Sequence, residues 1–245
     1  MAYGLSKTVT GPFLHLLFRP WVEGREHVPE SGGAILASNH LSVLDSVFLP
    51  LVLDRSVVFV AKQEYFTGTG PIDRVTARWL KSAGQVPVNR GSGRAAQEAL
   101  DASLAVIQDG GLFGIYPEGT RSPDGRLYRG RVGVAWLALT ADVPVVPVAM
   151  FNTRKALPPG STVPRPTKVG MKFGKPMRFE EYKGQAGKAK ARRAVTDQIV
   201  AAIAELSGQE YVPQYAPKRE SGAPKRESGA GAEGGGAKRQ DADQG

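Results

Sequence analysis

Three short stretches carry side chains suited to acid–base work or to gripping an anion. The first, Asn39-His40-Leu41-Ser42-Val43-Leu44-Asp45, follows Gly33-Ala34-Ile35-Leu36-Ala37-Ser38, which reads as a buried strand. A histidine at the end of such a strand lies where α/β folds place ligands. An unperturbed imidazole titrates at about 6.5, so it can take a proton at neutral pH, and a carboxylate can fix its tautomer and stabilise the imidazolium. On an ideal helix the spacing from His40 to Asp45 separates the two side chains by about 140°. The pair can therefore meet only with His40 in the turn and Asp45 in the first turn of the next helix. Ser42 as N-cap gives that geometry, yet Ser42-x-x-Asp45 fits a purely structural capping box equally well. On spacing alone the two readings stand level.

The second stretch is Tyr116-Pro117-Glu118-Gly119-Thr120-Arg121-Ser122, again just after a strand-like run. Its glycine lets the backbone approach a ligand, and Thr120 and Arg121 can hold an anion. The third, Gly84-Gln85-Val86-Pro87-Val88-Asn89-Arg90-Gly91, ends a strand on an arginine. Taken singly, either arginine is more often a solvated surface charge.

The elements that must position these residues alternate between β-rich and helical patterns, the signature of an α/β sheet. Strands are expected at residues 33–38, 56–61, 85–88, 112–116, 143–150 and 167–173. Ala96, Leu100, Leu104 and Ile107 recur at helical spacing and stop at Gly110-Gly111, a C-cap. Further helices are expected at 132–139 and 191–206. Pro87, Pro144 and Pro147 call for edge strands, bulges or strand ends at those points. The expected fold is a single α/β domain, a mixed and largely parallel sheet flanked by helices, after a short amphipathic N-terminal helical segment.

That N-terminal segment crowds Phe13, Leu14, Leu16, Leu17, Phe18 and Trp21 among Lys7, His15, Arg19 and Arg25. Such a composition suits a helix lying in a membrane interface, and equally a first helix packed on its own domain. At the other end, Ala216-Pro-Lys-Arg-Glu-Ser-Gly222 repeats as residues 223–229, and nothing after residue 215 is apolar and larger than alanine or proline. Such a stretch cannot offset its ordering entropy by burial. The expected division is a membrane-interface segment at 1–22, a domain at 23–212 and a disordered polar tail at 213–245.

Composition removes several classes of chemistry. The 245 residues include no cysteine, which excludes disulfides, thiolate metal sites and a thioester-linked enzyme intermediate. Three histidines without an HExxH pattern leave no histidine-built metal site, so no metal is expected. Net charge is +9. The tail from residue 216 holds six Lys/Arg against five Asp/Glu, so +8 belongs to residues 1–215. That excess suits an anionic membrane, a phosphorylated substrate or nucleic acid. No recognisable nucleic-acid-binding motif accompanies it, and none is expected to bind. No run reaches the roughly 18 apolar residues of a membrane span, and no leader pattern is evident. The expected location is the cytoplasmic face of a membrane, attached peripherally.

Together the stretches resemble the glycerolipid acyltransferases, the 1-acylglycerol-3-phosphate acyltransferases that make phosphatidic acid. The family's Asn-His-x-x-x-x-Asp block appears as Asn39, His40 and Asp45. Its glycine-to-arginine block matches Gly84 and Arg90, and its aromatic-Pro-Glu-Gly-Thr-Arg-Ser block is complete from Tyr116 to Ser122. A Val-Pro-x-x-Pro stretch matches Val143 to Val148. One departure is Pro87, where the family has an aromatic residue, and it bears on the shape of the acceptor pocket. The resemblance implies that His40 deprotonates an acceptor hydroxyl for attack on an acyl thioester while Asp45 orients it. It implies an acceptor site at Arg90, Glu118, Gly119, Thr120 and Arg121, and leaves Arg129 and Arg131 as added charge or plain surface. It implies no bound cofactor, acyl-CoA or acyl carrier protein being a co-substrate. The implied partners are lysophosphatidic acid, the acyl thioester and an anionic membrane surface. Another lysophospholipid or lyso-aminolipid acceptor, or a non-catalytic lipid-binding protein, are the alternatives.

Overall fold

Ala34–Ser38 (β2) is buried at every position, because it lies inside a sheet covered on both faces. The computed structural model describes residues 12, 14–62, 67, 70, 74, 85–88, 93–161 and 163–217. Its main sheet also contains Trp21–Glu23 (β1), Val57–Val58 (β3), Leu112–Ile115 (β6), Val145–Phe151 (β8) and Gly170–Phe173 (β9). The strand order is β1-β9-β8-β2-β6-β3, parallel throughout except for the antiparallel pair β8–β9. Two further parallel pairs join Val60–Lys62 (β4) to Val86–Val88 (β5), and Leu127–Tyr128 (β7) to Tyr211–Val212 (β10).

Alternate residues of β2 feed two separate cores. Ala34 and Leu36 join Phe18, Phe48, Leu49, Val146, Val148 and Met171 on one face. Ile35 and Ala37 join Phe113, Leu137, Val195, Ile199 and Ile203 on the other. The first face is covered by Asp45–Leu51 (α1) and by the helical residues 14–18. The second is covered by Gly93–Gln108 (α2), Gly133–Ala141 (α3) and Ala189–Ser207 (α5), with the single turn Thr153–Ala156 (α4) following β8. The helix–sheet–helix layering is the expected one.

Several expectations are refined. The strand expected at 56–61 is split at Phe59, whose N–H donates to Gln85 Oε1 at 3.1 Å while Gln85 Nε2 donates to the Val57 carbonyl at 3.4 Å. A buried side chain thus replaces the ladder at the break. α2 ends as expected, with Gly110 at φ 81° and its N–H donating to the Ile107 carbonyl. Pro147 sits opposite a bulge: the β8–β9 ladder runs from Val148↔Phe173, resumes only at Val145↔Met177, and Gly174 N–H donates to the Pro147 carbonyl.

Contacts of the described residues cross both expected domain boundaries. β1 crosses the one at residue 22, and Phe18 is 1% exposed, its ring edge-on to Phe48 at 5.1 Å. Trp21 packs on Phe151 and over Gly170, where any Cβ would collide with the indole. At the other end, residues 213–217 still follow the domain: Arg129 N–H donates to the Gln214 carbonyl and Ala216 is buried. The expected tail from 218 onward, Phe13 and the residues before Pro12 lie outside the described residues. Among the described residues no helix is long and apolar enough to cross a membrane.

Candidate active site

The register of two neighbouring parallel strands brings the first two stretches together. Ala37 of β2 pairs with Ile115 of β6, so the loops that start at Asn39 and Tyr116 leave the same edge of the sheet side by side. His40 sits in the turn and Asp45 opens α1, the one arrangement in which the two can meet. His40 Nδ1 lies 2.9 Å from Asp45 Oδ2. A carboxylate only accepts, so Nδ1 carries the proton and donates it, leaving Nε2 with a free lone pair. The Asp45 side chain is fully buried, whereas that of His40 keeps 16% exposure. The imidazole is thus the only member of the pair that a ligand can reach.

Asp45 Oδ2 also accepts the main-chain N–H of Leu41 at 2.7 Å and of Ser42 at 2.8 Å. The carboxylate closes the turn and orients the histidine with one oxygen. Ser42 is not the N-cap. That position is Leu44, and Ser42 Oγ donates instead to the Leu157 carbonyl at 3.3 Å. Asp45 Oδ1 is buried without a hydrogen-bond partner among the described residues.

Tyr116 to Ser122 forms a cradle for the main chain of His40. Gly119 N–H donates to the Tyr116 carbonyl at 2.9 Å, closing a turn with Pro117 and Glu118 at its centre and Gly119 at φ 74°. Glu118 is 1% exposed and turned inward. Its Oε1 accepts the His40 N–H at 3.1 Å and its Oε2 the Tyr128 N–H at 3.0 Å. Ser122 N–H donates to the His40 carbonyl at 2.7 Å, so both main-chain polar groups of His40 are held by this loop. Burial raises the Glu118 pKa to about 7, against the lowering effect of the two N–H donors. Both oxygens of this expected substrate-site residue are bonded to backbone, and its side chain is buried.

A column of rings supports the histidine. The Tyr116 ring stacks on the imidazole at 3.7 Å between centroids with 8° between planes, and Phe59 stacks beneath it at 5.4 Å and 17°. Gly114 makes the column possible, since a Cβ there would lie 2.3 Å from Phe59 Cε1. The Tyr116 hydroxyl is hydrogen-bonded to Ser46 Oγ at 2.8 Å, and burial holds its pKa well above the ordinary tyrosine value. In the sequence Tyr116 stands out only as part of a block, because nothing in strand alternation marks a ring as stacked on a residue that follows the neighbouring strand.

Asn39 ties the same edge to more distant chain. Its Oδ1 accepts Met150 N–H at 2.7 Å, and its Nδ2 donates to the Met150 carbonyl at 3.2 Å and to Gln209 Oε1 at 2.6 Å. Gln209 Nε2 donates in turn to the Gly125 carbonyl at 2.6 Å. The partnership of Asn39 with Gln209 spans most of the chain and has no local signal.

The remaining expected site residues divide cleanly. Gly119 is exposed at the turn, and Thr120 and Arg121 are half-buried beside it with no side-chain hydrogen bond or ion pair among the described residues. All three stand next to the histidine cradle and can meet a ligand. Arg90 and Gly84 lie outside the described residues, as do the Pro87 side chain and any pocket it shapes. Among the described residues no group of three His, Asp or Glu side chains could hold a metal ion. Chemically, the arrangement can take a proton at His40 Nε2 from a group presented at the sheet edge, with guanidinium and hydroxyl donors nearby for an anion.

Known proteins resemble this chain. The chloroplastic 1-acyl-sn-glycerol-3-phosphate acyltransferase of Brassica napus is 31% identical over 149 residues, 60% of this chain and 42% of that protein. Its Arabidopsis thaliana counterpart is 33% identical over 141 residues, 57% of this chain and 38% of that protein. The chain thus spans less than half the length of these two relatives. The crystal structure of the 1-acyl-sn-glycerophosphate (LPA) acyltransferase PlsC from Thermotoga maritima superposes with a TM-score of 0.64 at 26% identity, covering 83% of this chain and 79% of that one. The family model described as Acyltransferase matches residues 19–151, a span that holds the His40–Asp45 pair and the Tyr116–Ser122 cradle. The chain belongs to the acyltransferase family.

Proposed function

We propose that this protein transfers a fatty acyl group from an acyl thioester to the free hydroxyl of 1-acylglycerol 3-phosphate, giving phosphatidic acid. The observation that carries the reading is the 2.9 Å contact between His40 Nδ1 and the fully buried Asp45 carboxylate, which leaves Nε2 as an accessible base. The names of the relatives support the choice of acceptor.

In this mechanism Nε2 of His40 takes the acceptor's hydroxyl proton as its oxygen attacks the thioester carbonyl. Asp45 stabilises the imidazolium that forms. Collapse of the tetrahedral intermediate breaks the C–S bond, and the imidazolium returns its proton to the departing thiolate. The acyl group passes directly between substrates, in keeping with the absence of cysteine. Arg121, Thr120 and the backbone at Gly119 bind the acceptor's phosphate, with Arg90 as a further ligand. The donor is acyl-CoA or acyl carrier protein, and neither a metal nor a resident cofactor takes part. Work takes place at the cytoplasmic face of an anionic membrane, to which the +8 domain is drawn.

An acyl-transfer assay on the purified chain tests this, using a panel of lysolipids with acyl-CoA and acyl carrier protein as donors. Preferential turnover of lysophosphatidic acid is expected. Faster turnover of a different lysolipid would reassign the acceptor, and no turnover of any would refute the reaction.

A further inference from the structure

We infer that Arg129 and Arg131, gathered on the ring of Tyr215, form a second phosphate-binding site beside the His40 cradle. The main chain here is fixed at every residue. Arg129 N–H donates to the Gln214 carbonyl at 3.0 Å, and Arg131 N–H to the Pro117 carbonyl at 2.7 Å. Between them Gly130 is pressed on α5, where a Cβ would lie 2.7 Å from Val200 Cγ2, and its carbonyl accepts from Arg193 Nη1 at 2.8 Å.

Both guanidinium groups then converge on one ring. Arg129 Cζ lies 5.5 Å and Arg131 Cζ 5.2 Å from the Tyr215 centroid, within cation–π range. Neither is paired with a carboxylate among the described residues. Two like charges held on one ring repel each other, and a bound anion would relieve that repulsion. The Arg131 stem crosses Gly119, where a Cβ would meet its Cδ and Nε at 2.8 Å. Gly119 follows Glu118, which holds the His40 main chain. Arg131 therefore lies against the turn that carries Thr120 and Arg121, and Tyr215 links it to Arg129.

Forked guanidinium donors match a phosphate better than any other common anion. The phosphate could come from the lysolipid acceptor or from a nucleotide thioester donor. Tyr215 acts as a positioning residue, brought in by a C-terminal strand outside the family-matched span. The choice of ligands rests on the acyl-transfer reading, while the site itself rests on the geometry above.

Isothermal titration of the full chain with coenzyme A, and separately with a short-chain lysophosphatidate below its micellar concentration, tests the site. R129Q/R131Q should weaken at least one ligand about tenfold or more. Loss of lysophosphatidate binding assigns the acceptor's phosphate, and loss of coenzyme A binding the donor's. K188Q/K190Q removes the same charge from exposed positions at the start of α5 and should leave both affinities within about twofold. Y215A should weaken the same ligand, and Y215F, which keeps the ring, should recover most of the loss. Unchanged binding by R129Q/R131Q, or a loss equal to that of K188Q/K190Q, overturns the site. Unchanged binding by Y215A overturns the role of Tyr215. Should R129Q/R131Q lose its cooperative melt, the single variant R131Q, at an exposed position, carries the same test. A wild type that binds these ligands but turns over no lysolipid refutes the acyl-transfer reading and leaves the site standing.

Discussion

The imidazole of His40 lies flat on the ring of Tyr116, 3.7 Å between centroids and 8° from parallel. The stack covers one face of the candidate base and limits rotation of its ring, so Nε2 keeps one direction. Tyr116→Phe preserves the stack and loses only the Ser46 contact, and should keep kcat within about threefold. Tyr116→Ala removes the support and should lower kcat about tenfold or more, the cost of a misplaced base, with substrate KM little changed. Equal activity in Tyr116→Ala and wild type would reduce the stack to packing.

Asp45 orients the imidazole and ties down the turn with the same oxygen. His40→Ala should lower kcat about a hundredfold or more, the usual scale for loss of a general base. Asp45→Asn keeps an oxygen for the two main-chain donors but loses the charge that stabilises the imidazolium. Its kcat should fall by a comparable factor while its far-ultraviolet dichroism stays that of wild type. Near-normal turnover in either purified variant would remove the proposed mechanism.

Glu118 supplies a pH signature. Its folded pKa is raised to about 7 by burial, above the ordinary value of 4.5. A carboxyl with a raised folded pKa contributes stability that is present below its unfolded pKa and lost as pH rises through the folded one. Between pH of about 4.5 and 7 the wild type should therefore lose on the order of 3 kcal/mol from this group, at about 1.4 kcal/mol per unit. Glu118→Gln cannot titrate and should lack that slope in urea denaturation measured across the range. It should also be less stable at low pH by about 1–3 kcal/mol, because its amide group faces one of the two main-chain N–H donors. Parallel pH profiles for the two proteins would show that Glu118 does not titrate in this window.

The His40–Asp45 contact was legible because the spacing leaves one arrangement in which two such residues can meet, and an apolar run from Ala34 to Ala37 precedes them. The inward turn of Glu118 was not legible, because a motif names residue types and cannot show which way a carboxylate turns. Its inward orientation depends on Tyr128 in β7, a two-residue strand too short for period-2 alternation. β1 and β10 escaped notice for the same reason. Gln209 and Tyr215 reach the site from the far end of the chain, and no local pattern announces such contacts. Pro147, by contrast, marked its bulge correctly, since a missing N–H has a consequence wherever the strand lies.

The N-terminal helical residues show opposite burial within one turn. Phe18 is buried against Phe48, whereas Leu16 is 76% exposed beside exposed His15 and Arg19. A core anchor and an interface contact should then respond differently to substitution. Phe18→Ala should cost about 3–5 kcal/mol of stability, the range for emptying a buried aromatic site. Leu16→Glu should leave the melting temperature unchanged, since its side chain has little packing to lose. Sedimentation with anionic vesicles should show the reverse order of severity. Leu16→Glu replaces an apolar contact with a charge that anionic lipid repels, and should weaken vesicle binding about tenfold or more. Folded Phe18→Ala, measured well below its lowered melting temperature, should bind nearly as wild type. Undiminished vesicle binding by Leu16→Glu would place the membrane contact elsewhere on the basic domain and leave this turn as packing alone.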